Sequence, residues 1–253
     1  MKAGDDVMDV WANNLEEEML KISKLVETYK FVGMDTEFSG FIVKTFNNTP
    51  DDVKYHAEQT NVNLLKLIQI GITLGDEKGN RPSPYCTWQF NFKFNVNSDL
   101  QAAESINLLR QSGIDFDKFY KDGIDIYDFV PMFYSSGLVM NDKINWITFQ
   151  CGYDIAYLVK LVSASPLPKS DTEFAKIVKQ YFPNYYDLRY IMGTITDQVG
   201  SLQEVARDLN VHRYGPVHQA GSDSYVTLLS YYKVIEQHFD GNLTLEKFRN
   251  KGQ

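Results

Sequence analysis

Cysteine is scarce in this chain: the 253 residues hold two, Cys86 and Cys151, with no CxxC pair. That count indicates neither a disulfide framework nor a zinc site, and two buried reduced thiols of an intracellular protein are expected. Basic residues are outnumbered, 25 Lys and Arg against 33 Asp and Glu, for a formal net charge of −8. Such a balance argues against a broad cationic face for duplex DNA, while a local acidic centre that attracts divalent cations is compatible with it. Long apolar runs are missing too. No stretch approaches ~18 uninterrupted apolar residues, so no membrane span is expected. The opening MKAGDDVMDVWANN has neither the apolar core nor the cleavage signal of a secretory leader. No repeat, low-complexity tract or linker separates two cores, and the expectation is one domain over 1–253 with its core in about 10–240.

What is present suits a packed α/β protein. Apolar residues make up 43% and aromatics 14%, mostly Tyr and Phe, and a chain of this size can bury ~75% of its unfolded surface. Leu15, Met19, Ile22, Leu25 and Val26 recur at helical spacing and predict a helix over about 12–28. Strands are predicted at 31–38, 64–74 (LLKLIQIGITL) and 86–94, where Trp88, Phe90, Phe92 and Phe94 alternate. Asn47 to Pro50 has turn chemistry, and 51–60 is weakly helical. Helices follow at 105–113, 115–123 and 124–137, the last with Pro131 as a kink. A strand at 144–150 leads into a helix at 154–162, and a helix at 172–182 into a short strand near 185–187. Ser201 and Glu204 form a capping box for a helix over 201–210, a long helix spans 222–239, and a short one comes near Leu245. A three-strand meander followed by strand–helix units implies a mixed sheet with helices on both faces.

FVGMDTEFSG, residues 31–40, ends a buried strand with Asp35 and Glu37. Residues two apart on a strand project to one face, so the two carboxylates stand together with Cα atoms roughly 6.5–7 Å apart. Like charges at that spacing repel unless a cation lies between them, and hard ions such as Mg²⁺ and Mn²⁺ accept carboxylate oxygens. Taken singly, this pair is first a solvated turn, and Asp154, after the 144–150 strand, is first a helix cap. In VHQAGSDSYVTLL, Ser222 reads as an N-cap with Asp223 in the first turn, and His218 five residues earlier reads singly as a surface histidine. Their combination is much rarer. Four carboxylates, Asp35, Glu37, Asp154 and Asp223, suffice to hold two divalent cations that clamp a phosphodiester in an in-line displacement. His218, an imidazole, can then take the proton of the attacking water.

The order Asp35-Thr36-Glu37, Asp154, His218 and Asp223 resembles the histidine-containing branch of the DEDD exonuclease superfamily. MDTEFSG, NVNLLKLIQIGIT, TWQFNFKFN, SINLLRQSGIDF, GYDIAYLVKLV and SLQEVARDLNVHRYGPVHQAGSDS are closer still to the Caf/Pop-type deadenylases, nuclease subunits of the Ccr–Not complex, and run from about Val10 to Phe239. The resemblance implies a single-domain ribonuclease H-like fold. It also implies two-metal 3′→5′ hydrolysis that shortens mRNA poly(A) tails and releases 5′-AMP, with Mg²⁺ or Mn²⁺ on Asp35, Glu37, Asp154 and Asp223 and with His218 as general base. This chain has Phe149-Gln150-Cys151-Gly152-Tyr153-Asp154 where many members read FHSGYD, so Gln150 replaces a histidine and contacts near the nucleotide are expected to differ.

Phe38, just past the acidic pair, is a candidate for stacking on the terminal base and equally an ordinary core residue. The resemblance further implies a helical scaffold subunit, the complex's second deadenylase and BTG/Tob-type adaptors as partners, in the cytoplasm and also the nucleus. Met132, Phe133, Tyr134, Leu138 and Met140 are candidate scaffold anchors, with core positions the more common use of such residues. Two alternatives stand beside the deadenylase: a non-catalytic interaction module of a Ccr–Not-like complex, and a DEDD exonuclease acting on other single-stranded nucleic acid.

Overall fold

The computed structural model describes residues 4–46, 48–244 and 246–252, with the backbone alone for 4–6. Asn47 of the expected turn and Leu245 of the expected last helix lie outside these residues. Six strands form one mixed sheet: β1 (Gly4–Val10), β2 (Phe31–Phe38), β3 (Leu67–Gly75), β4 (Tyr85–Asn91), β5 (Asn145–Thr148) and β6 (Tyr185–Asp187), in the order β1-β4-β3-β2-β5-β6. β2, β3 and β4 form the antiparallel meander, while β1 runs parallel to β4 and β5 parallel to both β2 and β6. β3 is buried along its whole length, as a strand covered on both faces should be.

Ten α-helices accompany the sheet among the described residues: α1 (Leu15–Leu25), α2 (Asp51–Leu64), α3 (Ala103–Gln111), α4 (Phe116–Asp122), α5 (Ile126–Ser135), α6 (Gly152–Ser163), α7 (Asp171–Tyr181), α8 (Leu188–Gly193), α9 (Leu202–Asp208) and α10 (Ala220–His238). A short 3-10 helix at Glu246–Phe248 comes last. One face of the sheet packs on α1, α5 and α6 around Trp88, Phe129, Phe133 and Trp146. The other receives α8 and α10 around Tyr186, Tyr231 and Val234. None of the helices described is long and apolar enough to cross a membrane.

Several sequence boundaries move. The strand expected to begin at Leu64 begins at Leu67, because Leu64 closes α2 and the helix is longer than the weak 51–60 signal. β4 stops at Asn91, so Phe94 leaves the alternating stripe and packs in a separate cluster with Ile68, Ile106 and Phe116. Two elements had no sequence signal. β1 is an edge strand carrying three Asp, a composition that edges tolerate and central strands do not. α8 has six residues, too few to show a helical period. The capping box of α9 is formed as expected, with Ser201 and Glu204 bonded reciprocally. Pro131 lies inside α5, and both cysteines are buried thiols outside any disulfide among the described residues.

Candidate active site

The site is assembled where β2 outruns its neighbour. β2 pairs with β5 only from Phe31 to Gly33, so the edge of its last residues has no strand beside it. α6 begins just past β5, and the Asp154 carboxylate in its first turn fills that edge: Oδ1 accepts the Thr36 backbone N–H at 3.0 Å and also the Thr36 hydroxyl. An open ladder position thereby draws a buried acid to the strand that carries Asp35 and Glu37.

The opposite face of β2 meets α10. Alternation turns Phe31, Gly33, Asp35 and Glu37 to this side, and Phe31 lies against Tyr232 with ring centroids 6.0 Å apart. Glycine permits the close approach. Gly71 on β3 pairs with Asp35, and a Cβ there would fall 1.8 Å from the Ala220 carbonyl oxygen. At Gly33 it would fall 2.5 Å from the Ser224 carbonyl oxygen. The start of α10 therefore rests on the strand backbone itself, which brings Asp223 over the acidic pair.

Ser222 is not the N-cap that local sequence suggests. The capping position is Gln219, whose side chain makes no cap bond. Instead, amides from the sheet take the first helical donors: Gln69 Oε1 accepts from Ala220 N at 3.2 Å and Gln89 Oε1 from Gly221 N at 2.9 Å. Both glutamines are buried and bonded further, Gln69 to Asn91 at 2.8 Å and Gln89 to Asp9 at 3.0 Å. They satisfy orphan amides of a buried helix end and fix its place on the sheet.

As a result one carboxylate oxygen each of Asp35, Glu37 and Asp223 lies within 4.8 Å of the others. Asp154 stands beside them. Burial pushes the Asp35 and Glu37 carboxyls well above the usual carboxylate range, and the charges of Asp154 and Asp223 add to the effect. Burial also raises Asp154 to about 7, against the opposing Thr36 hydrogen bonds. Asp223 is raised by burial and held down by Arg213. Glu58 on α2, also near Asp154, is pushed to about 7 by burial first and the Asp154 charge second. Hard oxygen donors, crowded and desolvated, fit a divalent cation, which supplies the missing positive charge.

A carboxyl whose pKa is raised on folding binds more protons folded than unfolded, so stability falls as pH rises through the interval between the two values. For Asp154 and Glu58 that interval runs from their ordinary values, 3.8 and 4.5, to about 7. The chelator-treated protein is expected to melt lower at pH 8 than at pH 5.5, by about 5 °C or more. Added Mn²⁺ should recover more at pH 8. Calorimetry at the two pH values checks both; a melting temperature that is flat or rising with pH in the absence of metal would contradict the crowded-acid description.

The remaining candidates are spread out. His218 has a left-handed backbone (φ 61°) and an exposed side chain. Its N–H donates to Asp223 Oδ2 at 3.0 Å and its carbonyl accepts from Ser112 Oγ at 3.0 Å. Phe38 points to the α6 side of β2, away from the acids. Its ring lies 4.8 Å from Tyr157, 5.2 Å from Phe41 and 5.4 Å from Tyr153. Gln150 is exposed at the β5–α6 turn with φ 61°, and its N–H donates to Asp187 Oδ1 at 3.0 Å. Tyr134 and Met140 both lie against Tyr181: the Tyr134 ring is 6.2 Å from that of Tyr181, and Met140 N donates to the Tyr181 carbonyl at 2.8 Å. Tyr134 is 36% and Met140 54% exposed, whereas Phe133 and Leu138 are fully buried and belong to the core, not to a docking surface.

Four site-building groups carried no local signal: Gln69, Gln89, Arg213 and Asp187. Asp187 is fully buried and accepts backbone N–H groups from Gln150, Cys151, Arg189 and Tyr190, which ties the turn before Asp154 to the start of α8.

The sequence profile described as CAF1 family ribonuclease matches residues 10–128 and 137–230. The poly(A) ribonuclease pop2 of Schizosaccharomyces pombe is 46% identical over 239 residues, which span 94% of this chain and 71% of the relative. The structure of S. pombe Pop2p in its Mg²⁺- and Mn²⁺-bound form superposes with a TM-score of 0.93 at 45% identity, covering 97% of this chain and 98% of that one. A chain in the structure of the yeast NOT1 MIF4G domain co-crystallized with CAF1 gives a TM-score of 0.87 at 31% identity, covering 100% and 98%. E. coli Exonuclease I in complex with a dA16 oligonucleotide shares the fold alone, with a TM-score of 0.56 at 15% identity over 83% of this chain and 41% of that one.

Proposed function

This chain belongs to the CAF1 family of ribonucleases, and from that premise we propose how its own residues perform the reaction. It is a metal-dependent poly(A) ribonuclease with a ribonuclease H-like fold, and it uses divalent cations, magnesium or manganese. The observation that carries the mechanism is the convergence of the Asp35, Glu37 and Asp223 oxygens within 4.8 Å.

In this reading Asp35, Glu37, Asp154 and Asp223 would hold two divalent cations, which would supply positive charge for the scissile phosphodiester and acidify the attacking water. The protein's part is to fix the acids. Thr36 orients Asp154, and the His218 N–H orients Asp223. His218, at the exposed rim of the cluster, accepts the proton of the attacking water. Chain shortening proceeds from the 3′ end of single-stranded RNA and releases 5′-AMP. Phe38 buttresses an aromatic ledge with Tyr153 and the partly exposed Phe41, and Phe41 is the member able to stack on a base. Gln150, exposed at the β5–α6 turn four residues before Asp154, contacts the terminal nucleotide in this reading. The test is digestion of an A-tailed RNA labelled at its 5′ end. EDTA should abolish shortening, Mg²⁺ or Mn²⁺ should restore it, and a ladder shortened from the 3′ end should result. Cleavage that ignores EDTA would overturn the reading.

A Ccr–Not scaffold subunit is a partner, as the CAF1 co-crystallized with the NOT1 MIF4G domain supports. The finer assignments are proposals: the exposed Met140 and half-exposed Tyr134 dock that scaffold, and the complex's second deadenylase and BTG/Tob-type adaptors associate with the assembly. We also propose residence in the cytoplasm and the nucleus, and a single domain over 1–253. Met140→Arg is expected to weaken capture by a MIF4G-type scaffold by 10-fold or more, about the ~1.4 kcal/mol or above that a central apolar anchor contributes, with A-tail shortening by the free chain unchanged. Undiminished capture would move the docking surface elsewhere.

A further inference from the structure

We propose that Arg213 is a positioning residue for Asp223, holding that carboxylate at the angle the metal site requires; the inference rests on the nuclease reading above. Arg213 lies between α9 and α10. Its Nη1 is 2.6 Å from Asp223 Oδ1 and 2.8 Å from Ser222 Oγ, and its Nε is 2.7 Å from Gln203 Oε1 on α9. Both members of the Arg213–Asp223 pair are almost buried, with side chains 11% and 10% exposed. This is not the solvated type of ion pair, in which geometry is loose and the interaction small.

The two oxygens of Asp223 are thus held from opposite sides, Oδ1 by the guanidinium and Oδ2 by the His218 N–H. An aspartate in this position needs such restraint. Asp35 and Glu37 lie across a few ångströms from it, and a short carboxylate among like charges would otherwise turn away. The guanidinium suits the task because it is a rigid fork. Nε is anchored on α9 while Nη1 reaches the acid, so the angle of approach is set by two points. A lysine has one donor centre and supplies the charge without the second anchor. Nη2 is buried and finds no hydrogen-bond partner among the described residues, so the side chain is held through Nε and Nη1.

The bland alternative is that Arg213 only offsets excess negative charge. The two roles have opposite consequences for the metal. Removing a mere counter-charge leaves the acids more negative and tightens cation binding. Removing a positioning group weakens it, since hydrogen-bonded partners behind a metal ligand are worth about 10–100-fold in affinity or activity.

The experiment is titration calorimetry of Mn²⁺ into the EDTA-stripped full chain, for the wild type, Arg213→Gln, Arg213→Lys and Gln203→Leu, each checked by circular dichroism. Arg213→Gln is expected to weaken Mn²⁺ binding about 10–100-fold and to lower kcat with KM for A-tailed RNA little changed. Arg213→Lys should recover only part of this. Gln203→Leu changes no charge and touches no carboxylate, yet should weaken Mn²⁺ binding several-fold because it frees the fork at its anchor. Equal or tighter Mn²⁺ binding by Arg213→Gln overturns the proposal. If that variant fails to fold, unchanged affinity in Gln203→Leu overturns it instead. A wild type that binds no Mn²⁺ would overturn the nuclease reading beneath it.

Discussion

Asp35→Asn is expected to abolish A-tail shortening, with kcat/KM down by about 10³-fold or more, and to lose high-affinity Mn²⁺ binding with it. Asp35 lies at the centre of the cluster: its carboxyl is influenced by Asp154, Asp223 and Glu37 together. The amide keeps the shape and removes the charge, so any loss comes from chemistry and not from packing. A metal-held transition state forfeits several kcal/mol when its cation is no longer retained, which converts to that rate factor. His218→Ala makes the informative contrast. It should lose about 10²–10⁴-fold in kcat, the usual contribution of a positioned proton acceptor, and still bind Mn²⁺. Measuring rate and metal affinity on the same preparations separates the two roles. Near-normal turnover by Asp35→Asn would remove it from the reaction, and near-normal turnover by His218→Ala would remove the base.

Gly71→Val is the second large effect. Gly71 contacts no substrate in the proposed mechanism; its role is to be without a side chain opposite Asp35. A Cβ there would stand 1.8 Å from one backbone atom of Ala220, 2.1 Å from another, and 2.6 Å from Gly221 N. Backbone at a helix start already bonded to Gln69 and Gln89 has little room to shift. Overpacking of this kind costs about 1–3 kcal/mol and occasionally more, and Val, larger than Ala, is expected at or above the top of that range. The structural consequence is that α10 lifts and Asp223 leaves the cluster. A displacement of about 1 Å is enough to cost roughly 10²-fold in rate. Denaturant unfolding together with the digestion assay checks both parts. Wild-type stability in Gly71→Val would show that α10 does not rest on β3 as described.

Features set by local geometry were legible in the sequence. Asp35 and Glu37 fall two apart on a strand, and strand alternation alone puts them on one face. His218 and Asp223 are five apart at a helix start, so their proximity is also local. The mixed sheet with helices on both faces was implied by the meander and the strand–helix units. The groups that bring the acids together were hidden because their partners are remote. Gln69 bonds a residue 151 positions away, Gln89 one 132 away, and Thr36 meets Asp154 across 118. Periodicity carries no information about such pairs. Ser222 shows how a local rule is overridden: serine before a helical run is a good cap in isolation, yet here sheet amides take the first donors and the helix begins two residues earlier. β1 escaped notice for a related reason, since an edge strand rich in aspartate has no apolar alternation to reveal it.

The mechanism depends above all on carboxylates from β2, α6 and α10 converging on one cation-binding centre. Crystals of the full chain soaked in MnCl₂ and measured at the manganese absorption edge would locate that centre. Anomalous peaks are expected among the oxygens of Asp35, Glu37, Asp154 and Asp223, and none in crystals of Asp35→Asn. Well-ordered carboxylates at those positions with no anomalous signal among them at saturating manganese would contradict the shared cation site.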